Sequence, residues 1–324
     1  MQDTRSTTLN DAYNWTYAVS GDSPADLRWS VRKRLEFLEF RLFWSGRFNR
    51  ADLAEAFAMS AQQASVDIAQ YQKLAPGNLV YDNAHKAYFR TPAFNPQFVG
   101  ESADRFLLQL VAIESGWLRQ DETWFESRPP IEVVTLRRQP TNHVHLLAVL
   151  DAIREQQELD IVYQSMTGTS GAWRGIAPHA MAYNAGRWYV RAWSREHNDF
   201  RDYNLNRIRD VRADTRPCSV NRELDYEWSQ RIDLILIPNP GLPPERRKAV
   251  ESEYAMTEPE GKLVVPVRLS LSFYLMTELN LDVGPDKLAP EKQQLVLDNR
   301  QDVEQARRLA RQMSIQALER AARA

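Results

Sequence analysis

The stretch from Gly186 to Ile208, GRWYVRAW followed a few residues later by FRDYNLNRI, alternates its residue types at a period of two. That period marks β-strands, because successive side chains leave a strand on opposite faces. On the first strand Tyr189, Arg191 and Trp193 point one way, while Trp188, Val190 and Ala192 point the other. On the second, Arg201, Tyr203, Leu205 and Arg207 share a face. If both strands curl into one small barrel, Tyr189, Arg191, Arg201 and Arg207 converge on a concave surface. Such a surface suits an anion, since each guanidinium offers a planar fork of donors.

The surrounding chain extends this pattern. Strands are expected at Asp160–Ser165, Arg174–Tyr183, Arg187–Ser194 and Asp202–Arg209, with turns at Thr167–Gly171 and Asn184–Gly186. Ser165 can add a hydroxyl to the arginine surface, and His179 a switchable donor. No lysine occurs between Lys86 and Lys248, so arginine supplies every strong cation there. Codon usage explains most of those arginines as well as ligand binding does. The structural alternative for the in-face residues is a surface salt bridge, or a satisfied core hydrogen bond for His179 and Tyr189. Beyond Asp225 a Pro/Gly-rich break at Pro238–Pro244, helices from Glu245, Tyr274 and Asp302, and strands at Lys262–Ser272 and Gln293–Leu297 describe a further α+β unit.

Upstream the period changes to that of helices. Val31, Leu35, Leu38, Leu42 and Phe43 form one stripe between Leu27 and Trp44, which Gly46 stops. Asn49 can cap a short second helix through Phe57. Ser60 opens a third, with Ser60–Gln63 fitting a capping box and Ala64, Ile68 and Tyr71 inward. A hairpin follows, Leu79–Tyr81 and Ala87–Arg90 around a turn at Asp82–His85. Three helices and a hairpin in this order describe a winged helix-turn-helix, whose third helix enters the DNA major groove. Its exposed first turns offer Ser60, Gln62, Gln63 and Ser65 to base edges, while Arg32, Arg47, Arg50 and Lys86 are placed to hold phosphates. A solvated helix face with no DNA partner is the structural alternative.

Helices over residues 102–126 and Thr141–Gln157, separated by Arg128–Pro130, read as a bridge. His143 and His145 lie two apart on the second and diverge, which favours packing over a shared metal. Residues 1 to about 25 read as a polar, loosely docked arm. The 324 residues suit two or three domains, and a hydrophobic content of 43% with nine tryptophans supports real cores. Net charge is only −2, but seven basic residues face two acidic ones between Arg28 and Arg50, a local patch sufficient for phosphates. The lone Cys218 excludes a disulfide framework, and no apolar run reaches bilayer length, so a cytoplasmic protein with no membrane partner is expected. Nothing matches Gly-x-Ser-x-Gly, P-loop or His-Glu-x-x-His motifs, and an enzymatic role is not expected.

GRWYVRAW and FRDYNLNRI resemble the signature of the WYL domain, a bacterial ligand-sensing module with an Sm-like β-barrel, with Val190 in place of the signature's leucine. IVYQS at 161–165, WRGIAPHAM at 173–181 and the N-terminal helices extend the resemblance to the CapW/BrxR family of transcriptional regulators. It implies an α+β chain: a winged helix-turn-helix (1–100), a helical linker (101–140), a WYL domain (141–215) and a C-terminal dimerisation extension (225–324). It also implies that Ser165, His179, Tyr189, Arg191, Arg201 and Arg207 line the ligand groove.

The expectation that follows is a homodimeric repressor of a phage-defence operon. It would read an inverted-repeat operator and be released when an anionic nucleotide or oligonucleotide enters the WYL domain, with no cofactor or metal. Two recognition helices on one two-fold operator multiply a weak single-site affinity. The alternatives are a ligand-dependent activator, and a barrel that itself binds RNA or single-stranded DNA.

Overall fold

The computed structural model describes residues 27–323 apart from 100–102, 135, 137, 167–170, 219, 257–260, 285 and 286. The expected N-terminal arm and most of the expected Thr167–Gly171 turn lie outside the described residues. The chain divides into two compact units, at residues 137 and 138.

In the N-terminal unit, helix α1 (Trp29–Phe40) runs on through a π-helical turn, Arg41–Ser45. It stops at Gly46, which adopts φ +76 and donates its N–H to the Leu42 carbonyl, a left-handed ending that glycine takes without a Cβ penalty. Strand β1 (Arg47–Phe48) leads to α2 (Arg50–Ala56), which carries both halves of a capping box: Asn49 Oδ1 accepts from the Asp52 N–H and the Asp52 carboxylate accepts from the Asn49 N–H. Helix α3 (Ala61–Leu74) has only the first half, because the Gln63 side chain turns to Asp67 instead of back to Ser60. Strands β2 (Leu79–Asp82) and β3 (Ala87–Arg90) form the hairpin, and β1 adds a third strand in the order β1-β3-β2. Two residues carry too little periodicity for β1 to be read from sequence.

The core of this unit gathers Leu35, Leu38, Leu42, Phe48, Leu53, Ile68 and Tyr71. Within it Glu39 is fully buried, accepting from the Tyr71 hydroxyl and from the backbone N–H groups of Gln97, Phe98 and Val99. One carboxylate thereby satisfies three backbone donors that would otherwise be orphaned. Helix α4 (Ala103–Glu114) packs here, with Phe106, Leu110 and Ile113 against Phe40 and Phe125.

The C-terminal unit begins with α5 (His143–Glu155), which lays Val149 and Ala152 on a five-stranded antiparallel sheet. Its strands are β4 (Gln157–Tyr163), β5 (Trp173–Asn184), β6 (Arg187–Ser194), β7 (Asp199–Asn204) and β8 (Ile208–Pro217), in the order β7-β6-β5-β4-β8. Ala185 and Gly186, at φ +46 and +73, close the β5–β6 hairpin as a two-residue turn. Among the described residues the edge strands β7 and β8 form no ladder, so the expected closed Sm-like barrel is an open sheet.

The expected strand Asp202–Arg209 is also two strands. A 3-10 turn, Leu205–Arg207, separates β7 from β8, because the Asn204 side chain accepts the Asn206 N–H and starts the turn.

The extension contains α6 (Tyr226–Ser229), β9 (Arg231–Pro238), α7 (Pro244–Glu253), β10 (Leu263–Arg268), α8 (Leu269–Glu278), β11 (Leu295–Leu297) and α9 (Arg300–Ala321). Its sheet has the order β10-β9-β11, and Leu234, Leu236, Leu281 and Val303 fill its core. The strand expected to reach Ser272 ends at Arg268, where α8 begins.

Candidate functional site

Two polar constellations stand out, one on each unit. On α3 the buried residues Ala64, Ile68 and Tyr71 set the opposite face, where Gln62, Val66, Ala69 and Lys73 are exposed at spacings of four, three and four. The eight residues expected to meet DNA divide by what already holds them. Ser60 Oγ is engaged by the Gln63 N–H, and Gln63 Nε2 donates to Asp67, which also takes a two-pronged ion pair from Arg34. Gln63 therefore flanks the exposed stripe and is tied to the scaffold. Ser65 Oγ donates to the Ala61 carbonyl and accepts from Arg50 at 3.3 Å, which anchors an exposed guanidinium beside the helix. Arg32 pairs with Glu36 along α1. Arg47 is exposed and 3.7 Å from Glu126, and Lys86 is exposed at the hairpin tip with φ +49. Gln62 and Gln63 are both exposed amides of the set, and of the two Gln63 is the one held by a side-chain partner. Val66, Ala69 and Lys73 were not singled out from sequence, although their spacing opposite the buried stripe was legible.

The second constellation lies on the sheet of the C-terminal unit. The β6–β7 register sets Arg191 opposite Asp202 and Ala192 opposite Arg201. Residues directly opposite share a face, so Arg191 and Arg201 leave opposite faces of the sheet. The expected convergence of Tyr189, Arg191, Arg201 and Arg207 does not form. Tyr203 and Leu205, expected beside Arg201, enter the core with Val190, and Arg207 sits in the 3-10 turn. Ser165 follows β4, next to Gln164, whose N–H donates to the Arg207 carbonyl.

On its own face Arg191 is buried, 4% exposed, and surrounded by carboxylates. It donates Nε and Nη2 to Asp225 at 2.7 and 2.9 Å, and reaches Asp202 and Glu227, each at 3.4 Å. His179 lies at a bulge in β5, and its Nε2 is 3.0 Å from Asp225. Its ring meets Phe200 and Trp228 edge-on. Tyr189 packs against Tyr274, ring centroids 4.6 Å apart, and the Tyr274 hydroxyl donates to Asp202. Thus the structure joins His179, Tyr189 and Arg191, and closes them with residues of the extension.

The electrostatics follow from three carboxylates sharing one guanidinium. Burial alone would raise the Asp225 pKa, but the bonds and charges of Arg191 and His179 outweigh it and hold this carboxyl below its usual range. Asp202 and Glu227 are pushed up, chiefly by burial, which their weaker hold on Arg191 does not offset. Sequence reasoning missed Asp225 and Glu227 because their role depends on a contact across more than thirty residues.

Comparison with known proteins places the chain. A DNA-binding transcriptional repressor CapW of Escherichia coli (strain KTE188) is 36% identical over 283 residues, covering 85% of this chain and 91% of the relative. The chain belongs to the CapW family. Relatives of the same name from Pseudomonas aeruginosa and Stenotrophomonas maltophilia are 34% and 33% identical, covering 85% and 89% of this chain and 91% and 95% of their own lengths. Three family models match in turn: the BrxR transcriptional regulator winged helix-turn-helix domain at residues 30–112, the WYL domain at 144–213, and the BrxR C-terminal dimerization domain at 231–303. Asp225 and Glu227 fall between the last two matches. A solved structure, proteasome accessory factor B/C (PafBC) of Arthrobacter aurescens, covers 88% of this chain and 48% of its own at 14% identity, with a TM-score of 0.25, too low to carry a structural argument.

Proposed function

We propose that this protein is a DNA-binding transcriptional repressor that acts as a homodimer in the cytoplasm and reads an inverted-repeat operator. The observation that carries the reading is the exposed stripe of α3, with Gln62 at its N-terminal end and Arg50 anchored beside it by Ser65. A helix presented in this way can enter a major groove, with amide and aliphatic groups toward base edges and flanking cations toward phosphates. The relatives' names and the dimerization-domain match support the same reading.

On the family resemblance, the controlled operon serves phage defence, and an anionic effector, a nucleotide or oligonucleotide, relieves repression through the WYL domain. Arg201, exposed on the face opposite Arg191, is the cation of the expected groove set that stands most open to such a ligand. An effector changes operator binding only through different affinities for the DNA-binding and released states.

Fluorescence anisotropy tests the reading. The protein is titrated against duplex DNA from upstream of its own reading frame and against scrambled duplex, across a salt series. Preferential, strongly salt-dependent binding to the upstream duplex is expected. Equal binding to both would overturn operator recognition.

A further inference from the structure

The exposed stripe on α3, Gln62, Val66, Ala69 and Lys73, contains one large apolar side chain. Val66 is 55% exposed, four residues after Gln62 and seven before Lys73. Isolated exposed apolar residues are ordinary on protein surfaces. This one has no local reason to be valine, because a β-branched residue on an open helix face is a poorer helix former than alanine. The flanking polar groups are committed elsewhere: Gln63 to Asp67, and Ser65 to Ala61 and Arg50. Along the stripe the α3 surface that can meet a groove therefore runs from the Gln62 amide to the methyl groups of Val66 and Ala69, with the exposed Gln63, its amide nitrogen held by Asp67, at its edge.

A major groove displays one apolar group, the C5 methyl of thymine. We infer that Val66 is a specificity-determining residue whose γ-methyl groups meet a thymine methyl close to the base read by Gln62. Four helical residues rise about 6 Å, which corresponds to roughly two base steps of about 3.4 Å. Each half-site should then hold an A·T pair within about two steps of the base that Gln62 contacts. This rests on the operator-reading function proposed above and names the base type that it discriminates.

The test begins by selecting duplexes from a random pool with the full-length protein, then replacing each thymine of the selected site by deoxyuridine, which lacks only the methyl. At one position per half-site, uracil should weaken binding about fourfold, the equivalent of one buried methyl. Val66→Ala should bind the thymine and uracil duplexes alike, and Val66→Thr, which keeps one methyl, should retain the discrimination. Circular dichroism of both variants checks that α3 is intact. Uracil tolerated at every position by the unmodified protein, or a thymine preference that survives Val66→Ala, overturns the role of Val66 and leaves operator reading standing. A pool that yields no preferred sequence overturns operator reading itself, and this inference with it.

Discussion

Arg191 and Asp225, thirty-four residues apart, are joined by two near-parallel hydrogen bonds, Nε to Oδ2 at 2.7 Å and Nη2 to Oδ1 at 2.9 Å. The pair ties strand β6 of the WYL sheet to α6 of the extension, since Asp225 also accepts the Trp228 N–H as that helix's cap. Removing one member of a buried pair strands the other charge and costs about 3–5 kcal/mol. Asp225→Ala should therefore lower the stability of the C-terminal unit by about that amount in urea unfolding followed by tryptophan fluorescence. Arg191→Ala should cost more at neutral pH, because it leaves Asp202, Asp225 and Glu227 facing one another. A double Arg191→Ala/Asp225→Ala variant losing as much as both single changes together would show that the pair is not coupled.

The same cluster sets a pH dependence of known sign. Asp225 has a lowered folded-state pKa, so its contribution is present above the ordinary value of 3.8 and is lost as pH falls through the folded value. Glu227 and Asp202 have raised values and bind protons more tightly when folded, so stability falls as pH rises above 4.5 and 3.8 through their folded values. Denaturation across pH 2 to 8 should show an optimum on the acid side of neutrality, with stability falling as pH drops below 3.8. Asp225→Asn should flatten that acid limb, and an unchanged limb would assign it to other carboxylates.

Glu39 should be the most sensitive polar position of the N-terminal unit. Its carboxylate accepts from Tyr71 and from the N–H groups of Gln97, Phe98 and Val99. Glu39→Ala should cost about 3 kcal/mol or more by leaving buried donors unpaired, while Tyr71→Phe should cost about 1 kcal/mol. Limited proteolysis reads this directly: cleavage near residues 95–99 should accelerate in the first variant and scarcely change in the second.

Phosphate and base contacts separate by their salt dependence. Arg50→Ala and Lys86→Ala should weaken binding to every duplex alike, each reducing the slope of log K against log salt by about 1. Gln62→Ala should instead narrow the gap between preferred and scrambled duplexes by about 1–3 kcal/mol with the slope unchanged. Gln63→Ala, whose side chain is held by Asp67, should affect stability more than base preference. Thermal melts beside anisotropy titrations distinguish the two effects.

Much of the architecture was legible because it is local. The 64/68/71 stripe orients α3, Asn49 and Asp52 reciprocally cap α2, Gly46 ends the first helix, and alternation around Tyr189 marks β6, each set by residues within a turn or two of one another. The Asn204 and Asn206 pair that breaks the fourth expected strand was also written in the chain, as a local turn competing with strand pairing. Which face Arg201 takes, and what neutralises Arg191, were not. The first depends on where the 3-10 turn ends β7 and on the register of β7 against β6. A shift of one residue in that register sends every side chain to the other face. The second depends on Asp225 and Glu227 folding back from beyond β8, a long-range choice made because a buried guanidinium must find carboxylates somewhere. Neighbouring residues along the chain were enough to set the elements, their caps and the stripe that α3 exposes. Which charges meet was settled by the packing of distant segments, because ion pairing across such separations leaves no period in the chain.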